Sequence, residues 1–227
     1  MGFLRKSKAK RSFAKKSVDK KQSSRIKKLE SFVYKTLENK QINYSQSLNV
    51  SSAGTATYPF INLRQGTGDG GSYPSDARIG NSITLMSQRL DMNLVGETAQ
   101  WNQIRVILAE SVDGNTSLAL SDILEYSNYA IEGDLVFVSP YTTKTSTNKR
   151  YKIHLDRLFE LHGTGDAGKA TAQIHKVVSY KGGKVVNFDD NGVEPTNHKL
   201  QLFCISDSAS ISHPTVKYNM RSTYKDA

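Results

Sequence analysis

The chain has 227 residues, 37% of them hydrophobic, and a formal net charge of +10 at pH 7. That length fits one domain, or one domain plus a tail. No run of eighteen apolar residues occurs, so no helical membrane span is expected, and a single cysteine, Cys204, rules out an internal disulfide and a multi-cysteine zinc site. Behind the N-terminal charges there is no apolar stretch of the kind a secretory signal needs. Gly2 follows Met1, but Lys6 stands where a myristoylation signal needs Ser or Thr.

The charge is unevenly divided. Residues 1–40 hold 14 Lys/Arg and three acids (Asp19, Glu30 and Glu38), a net of +11. Residues 41–227 hold 17 Lys/Arg and 18 acids, a net of −1. The whole positive excess therefore lies in a basic arm, residues 1–40, ahead of an electrically ordinary domain, residues 41–227.

In the arm, Arg5, Lys6, Lys8, Lys10, Arg11, Lys15, Lys16, Lys20, Lys21, Arg25, Lys27 and Lys28 are opposed over residues 1–28 only by Asp19. A segment so self-repelling and so poor in apolar groups is expected to be disordered in its first part when free. A polyanion would supply the missing counter-charge, with release of counterions driving association. Lysines outnumber arginines eleven to three over residues 1–40. Lysine is a mobile point charge rather than the planar fork that reads guanine. Only Phe3 and Phe13 offer aromatic surface in residues 1–28. The expected chemistry is phosphate neutralisation with little sequence preference, in which these twelve cations are the candidate nucleic-acid-binding residues. A nuclear localisation signal or a solubilising tail is the plainer alternative. At the arm's end Ile26, Leu29, Val33 and Leu37 recur at helical spacing, with Ser23 or Ser24 as the expected N-cap. The apolar face of that helix is expected to pack on protein rather than on a membrane.

From residue 41 the period changes to two. Strands are expected over residues 42–50, 83–94 (with a change of phase between Leu85 and Met86 that signals a bulge), 104–108, 134–139, 171–180, 184–188, 200–204 and 215–224. Tyr151, Ile153, Leu155, Phe159 and Leu161 read as the buried face of another, Arg157 being out of pattern. Gly182-Gly183 reads as the turn of a hairpin between residues 171–180 and 184–188. One helix is expected, over residues 118–126, begun by Ser117 or Ser121. Eight or nine strands and almost no helix favour an all-β fold. An eight-stranded antiparallel sandwich, the single jelly roll, fits better than an immunoglobulin-like domain, with a closed barrel as the alternative.

No catalytic or cofactor signature emerges. Two stretches, residues 66–71 and 163–168, match the spacing G-x-G-x-x-G, but a loop follows the first and an expected strand the second, where the fingerprint needs a helix. There is no G-x-x-x-x-G-K-[ST] loop, no G-x-S-x-G elbow and no H-E-x-x-H. His154, His162, His175, His198 and His213 show no ligand spacing. Cys204, in an apolar strand, reads as a small buried hydrophobe. Loop carboxylates at Asp69 with Asp76, and Asp189 with Asp190, read as solvated by default, with calcium binding the alternative. No enzyme, cofactor or metal site is expected.

The segment Gln65-Gly66, followed by Arg78-Ile79-Gly80-Asn81-Ser82-Ile83-Thr84-Leu85, resembles one found in capsid proteins of small circular single-stranded DNA (circovirus-like) viruses, and in the related satellite-necrosis-virus-like coat proteins. Arg105-Val106-Ile107-Leu108 and Leu120-Ser121-Asp122-Ile123-Leu124 are similar to the strand and short helix that follow in that group. Asn81 departs from the more usual Asp, and the loop before Arg78 is long. The resemblance implies a jelly roll that assembles into an icosahedral shell of about 60 copies, with the arm turned inward onto a viral genome, DNA rather than RNA. It implies a place in the virion, in the host nucleus during assembly, and a host receptor of unknown kind. Arms of +11 on about 60 copies supply on the order of 660 charges, against one negative charge per nucleotide. The alternatives are a non-capsid nucleic-acid-binding protein with a β-sandwich domain and, more remotely, a sugar- or receptor-binding jelly roll.

Overall fold

The computed structural model describes residues 18–29, 39–66, 77–97, 100–112, 117–142, 151–163, 170–209 and 213–226. It divides into two compact units, Met1–Glu38 and Asn39–Ala227.

In the first unit, residues 18–29 form a helix, α1, exposed along its described length. The helix is already formed at Val18, so Ser23 and Ser24 lie inside it and neither is its N-cap. Lys and Gln are good helix formers, and Val18 extends the apolar side of Ile26 and Leu29 toward the N-terminus. Val33 and Leu37 fall outside the described residues, as does the part of the arm for which disorder is expected.

The second unit is a jelly roll. Its strands are β1 (Asn39–Asn49), β2 (Thr55–Ala56), β3 (Arg64–Gln65), β4 (Ala77–Arg78), β5 (Ser82–Val95), β6 (Asn102–Ser111), β7 (Tyr151–Leu161), β8 (Thr171–Asn187), β9 (Lys199–Ser206) and β10 (Thr215–Asp226). Two four-stranded sheets run in the orders β1-β10-β5-β8 and β2-β9-β6-β7, and β3 and β4 form a small parallel pair. All pairings in the two large sheets are antiparallel. The partners nest: β6 with β7, β5 with β8, β2 with β9, β1 with β10. A long hairpin rolled up on itself gives this order, with two Greek keys. Lys40, counted with the arm in the charge sum, belongs to β1, and its Nζ lies 2.9 Å from Asp226 on β10.

Period-two alternation builds the core. Val216, Tyr218 and Met220 turn inward, as their spacing predicts, and meet Leu90, Met92 and Leu94 of β5 and Leu108, Leu200, Leu202 and Cys204 of the facing sheet. Burying this apolar face supplies the main stabilisation. β6 and β9 are buried on both faces. A second cluster lies outside them, where Ile107, Ala109 and Phe203 pack against Leu118, Ile123 and Leu124. The segment 117–142 between β6 and β7 is the cover.

Several expectations are corrected by register. The phase change in β5 is a bulge: pairing with β8 shifts between Leu85 and Ser87. Gly182-Gly183 does not turn a hairpin. Both glycines take positive φ, +83° and +81°, yet the chain continues along the same neighbour. Ser179 stands opposite Ser87 and Lys184 opposite Leu85, so the glycines loop out as a wide bulge in one 17-residue strand. In β7, register slips beside His154: Leu155 faces Leu108 while Ile153 faces Ala109. The slip puts Tyr151 and Ile153 on the outer cluster, not on the core face with Leu155, Phe159 and Leu161.

Residues 134–139 form no strand. Gly133–Val136 is a 3-10 turn, and Arg105 Nη1 takes the carbonyls of Val136 and Ser139 at 2.7 and 3.1 Å. The helix expected over 118–126 is the single turn α2 (Leu120–Ile123). Asp122 Oδ2 accepts from the Ala119 N–H at 2.8 Å, so neither Ser117 nor Ser121 begins it. It stops because Leu124 becomes extended and bridges Tyr141. A further turn, α3 (Tyr129–Glu132), is capped by Asn128, whose side chain accepts from Ala130 N.

Candidate nucleic-acid interface

Five of the twelve arm cations lie in described residues: Lys20, Lys21, Arg25, Lys27 and Lys28, all exposed on α1. At 100° per residue they fall on one half of the helix, and Val18, Ile26 and Leu29 on the other. Five charges within nine residues form a dense cationic strip whose members reach outward on flexible stems. It can neutralise phosphate but has no planar array with which to read bases. Arg5, Lys6, Lys8, Lys10, Arg11, Lys15 and Lys16 lie outside the described residues.

The near-neutral body is locally polarised, which a net charge conceals. Segment 117–142 carries Asp122, Glu125, Glu132 and Asp134 and no cation. The outer face of sheet β1-β10-β5-β8 carries Arg89, Lys217, Arg221 and Lys225 against one acid, Asp91.

The two halves of the segment that carries the family resemblance meet. Gln65 on β3 pairs with Arg78 on β4, and the Gly66 N–H donates to the Arg78 carbonyl at 3.0 Å. Arg78 is fully buried. Its Nη2 donates to the carbonyls of Asp189 and Gly192 at 2.9 and 2.8 Å, its Nη1 to the Gly80 carbonyl and to Asn81 Oδ1, and its guanidinium lies 4.6 Å from the centre of the Phe188 ring. Asn81 Nδ2 in turn donates to the Asp190 carboxylate. The segment is therefore a staple that fastens the β8–β9 loop. Asn suits position 81 because one amide both accepts from Arg78 and donates to Asp190, whereas a carboxylate there would face a like charge. Of the two residues weighed above as calcium ligands, Asp190 gives its carboxylate to this staple and Asp189 its backbone carbonyl. Asp69 and Asp76 lie outside the described residues.

The histidines, unpatterned in sequence, partly converge in space. Glu110 on β6 is fully buried. It accepts from His154 Nε2 at 2.7 Å, from Lys184 Nζ at 2.6 Å and from His198 Nδ1 at 2.9 Å. Burial opposes its ionisation, but hydrogen bonds from His154 and Lys184 outweigh this and hold its carboxyl down at about 2. Burial, then the Lys184 charge, pushes His198 below the usual histidine range. Tyr180 continues the network, donating to Gln88 Oε1 at 3.1 Å, and Gln88 donates to Ser222 Oγ at 3.0 Å. The chain of polar groups crosses the sandwich interior and is satisfied internally. Its signal in the sequence was a lone acid, Glu110, at a core position of β6.

Among the described residues no His, Cys, Asp or Glu group is arranged to hold a metal ion, and no helix is long and apolar enough to cross a membrane. Cys204 is buried in the inner core, and burial pushes its thiol up to about 12, as a packing residue requires. Behind the second glycine-rich stretch, β8 begins at Thr171 where a dinucleotide site would need a helix.

No protein-family model matches the chain. No curated protein matches it either. Among solved structures it is similar to one described as desmodium yellow mottle tymovirus, at 8% identity and a TM-score of 0.35, over 83% of this chain and 89% of that one. A likeness of that size carries no argument, and the jelly roll rests on the strand order.

Proposed function

We propose that the protein is a viral coat protein: the jelly roll assembles with copies of itself into a closed shell, and the lysine-rich arm neutralises a single-stranded genome inside it. The observation that carries this reading is the partition of charge along the chain, an arm of +11 ahead of a body of −1. A near-neutral body lets many copies pack without strong mutual repulsion, while the arms share one enclosed polyanion. The jelly-roll strand order supports it, since that sandwich provides rigid sheets with loops gathered at its two ends. The resemblance carried by Gln65-Gly66 and residues 78–85 favours DNA as the packaged acid, the virion as location and the host nucleus as site of assembly.

The test is nuclease protection. Full-length protein purified from expressing cells should carry nucleic acid that resists nuclease until the particle is disrupted. Replacing the twelve arm cations by Gln should leave particles that are empty. Protein that carries no protected nucleic acid and no particle would contradict the reading and favour a non-capsid nucleic-acid-binding protein.

A further inference from the structure

The outer face of the β1-β10-β5-β8 sheet has a composition that folding alone does not require. Register fixes its rows across the four strands: Ser47, Lys217, Asn93 and Gln173; Ser45, Asn219, Asp91 and His175; Asn43, Arg221, Arg89 and Val177; Gln41, Thr223, Ser87 and Ser179. These rows carry no Phe, Tyr or Trp, and apart from the charged groups and Val177 every position is an amide or hydroxyl, or His175. A shallow trough of about 550 Å³ crosses the first two rows, lined by Ser45, Ser47, Asp91, Asn93, His175 and Lys217 among others, and the arginine row lies beside it.

Two cations stand directly opposite each other in this face, Arg221 on β10 and Arg89 on β5. Like charges in such a cross-strand pair destabilise a sheet. The nearby acid does not resolve the conflict, because Asp91 is shared. It takes Arg89 Nε at 2.9 Å and His175 Nδ1 at 2.8 Å. Among the described residues, Arg221 Nε donates to the neutral Asn43 Oδ1, at 3.0 Å. Lys217 lies four residues further along β10, about 14 Å at the usual rise per residue. A local electrostatic rule broken on an exposed face is the mark of a site completed by a ligand, and anionic groups on the two guanidiniums complete this one.

We propose that this sheet face binds the phosphate backbone of single-stranded nucleic acid, with Arg89 and Arg221 on adjacent phosphates, Lys217 on one further along the strand, and the surrounding amides and hydroxyls on phosphate and sugar oxygens. Guanidinium forks suit phosphate bidentately, and without aromatic platforms the face tracks the backbone rather than stacking bases. The identity of the ligand rests on the coat-protein reading. The face is a second locus on the body itself, independent of the arm, and adds cations to an arm whose charge alone matches only a short genome.

The experiment uses the full-length chain and a fluorescent oligothymidine, with affinity measured across a salt series. The triple variant Arg89→Gln, Lys217→Gln, Arg221→Gln should lower the slope of log affinity against log salt by about 2, since each phosphate contact on a single strand contributes about 0.7. The charge-retaining variant Arg89→Lys, Lys217→Arg, Arg221→Lys should keep the slope. In the unmodified protein, bound oligothymidine should protect Lys217 from acetylation. An unchanged slope in the Gln variant, an equal loss in the charge-retaining variant, or Lys217 equally reactive with and without oligothymidine would each overturn the proposal. Loss of self-association at unchanged slope would also overturn it, assigning the face to the acidic 117–142 surface of a second copy. A parallel variant, Lys20, Lys21, Lys27 and Lys28→Gln, separates the two readings. If it lowers the slope and the sheet variant does not, the sheet proposal fails and the arm reading stands; the reverse result sinks the arm reading alone.

Discussion

Lys184 on β8 reaches across the sandwich to Glu110 on β6, Nζ to Oε1 at 2.6 Å, and so joins the two sheets through a carboxylate that no solvent reaches. His198 Nδ1 shares the same oxygen and His154 Nε2 takes the other. Three donors, from β7, β8 and the residue just before β9, thus converge on one buried acid. A buried carboxylate with full pairing is stable, but removing the acid leaves its partners uncompensated.

The pH dependence follows from that site. Glu110 titrates at about 2 in the fold against an ordinary 4.5. Its contribution is fully present above pH 4.5 and is lost as pH falls through 2, worth about 3 kcal/mol by the shift. His198 is also depressed, so its share is present above the ordinary histidine range and fades as pH falls below it. Both terms make acid destabilising. Denaturant unfolding between pH 7 and pH 3 should show falling stability, and Glu110→Gln should both cost about 3 kcal/mol at pH 7 and flatten the profile. An unaltered profile in Glu110→Gln would remove Glu110 from the acid response.

Arg78 offers a second test. Arg78→Lys keeps the charge but loses the fork that serves the Asp189 and Gly192 carbonyls together with Gly80 and Asn81. A loss of about 2–4 kcal/mol is expected, because buried acceptors are left unmet. Hydrogen exchange should rise first at residues 189–193. Asn81→Asp should destabilise by setting two carboxylates together at Asp190, and Asp190→Asn in the same chain should restore stability. Differential scanning calorimetry of the four proteins reads this cycle.

Most of the sandwich was legible because one-sided burial writes a period of two into β1, β5 and β10. What was illegible had two causes. First, bulges at Met86 and His154 and the Gly182-Gly183 loop-out shift register without changing residue type, so a turn signal became a kink and Tyr151 changed faces. Second, tertiary contacts override local preference: Arg105 gathers the carbonyls of Val136 and Ser139, and an apolar run that reads as a strand becomes a turn. For the site, the arm's cations are contiguous and easily read. Arg89, Lys217 and Arg221 lie on two strands far apart in sequence, inside a body whose net charge is near zero, so only register brings them together.

Cys204 should be silent in the native protein. Its thiol is buried and pushed up to about 12, so a thiol-specific disulfide reagent at pH 8 should label it only as fast as the protein opens. Labelling should become immediate in denaturant. Fast labelling of native protein would show that β9 opens locally.

The arm should dominate the salt response of nucleic-acid binding. Replacing Lys20, Lys21, Lys27 and Lys28 by Gln should lower the salt slope for single strands by about 3 and leave thermal stability unchanged, because these groups are exposed. Fluorescence anisotropy across a salt series, with circular dichroism as the folding control, measures both.

The coat-protein proposal is tested most directly by the size of the particles the protein forms. Electron microscopy and sedimentation of the full-length chain at high protein concentration should show closed shells about 20 nm across, the size expected from packing about 60 domains of this length. A monomer or dimer that persists at every concentration, with and without single-stranded nucleic acid, would contradict it.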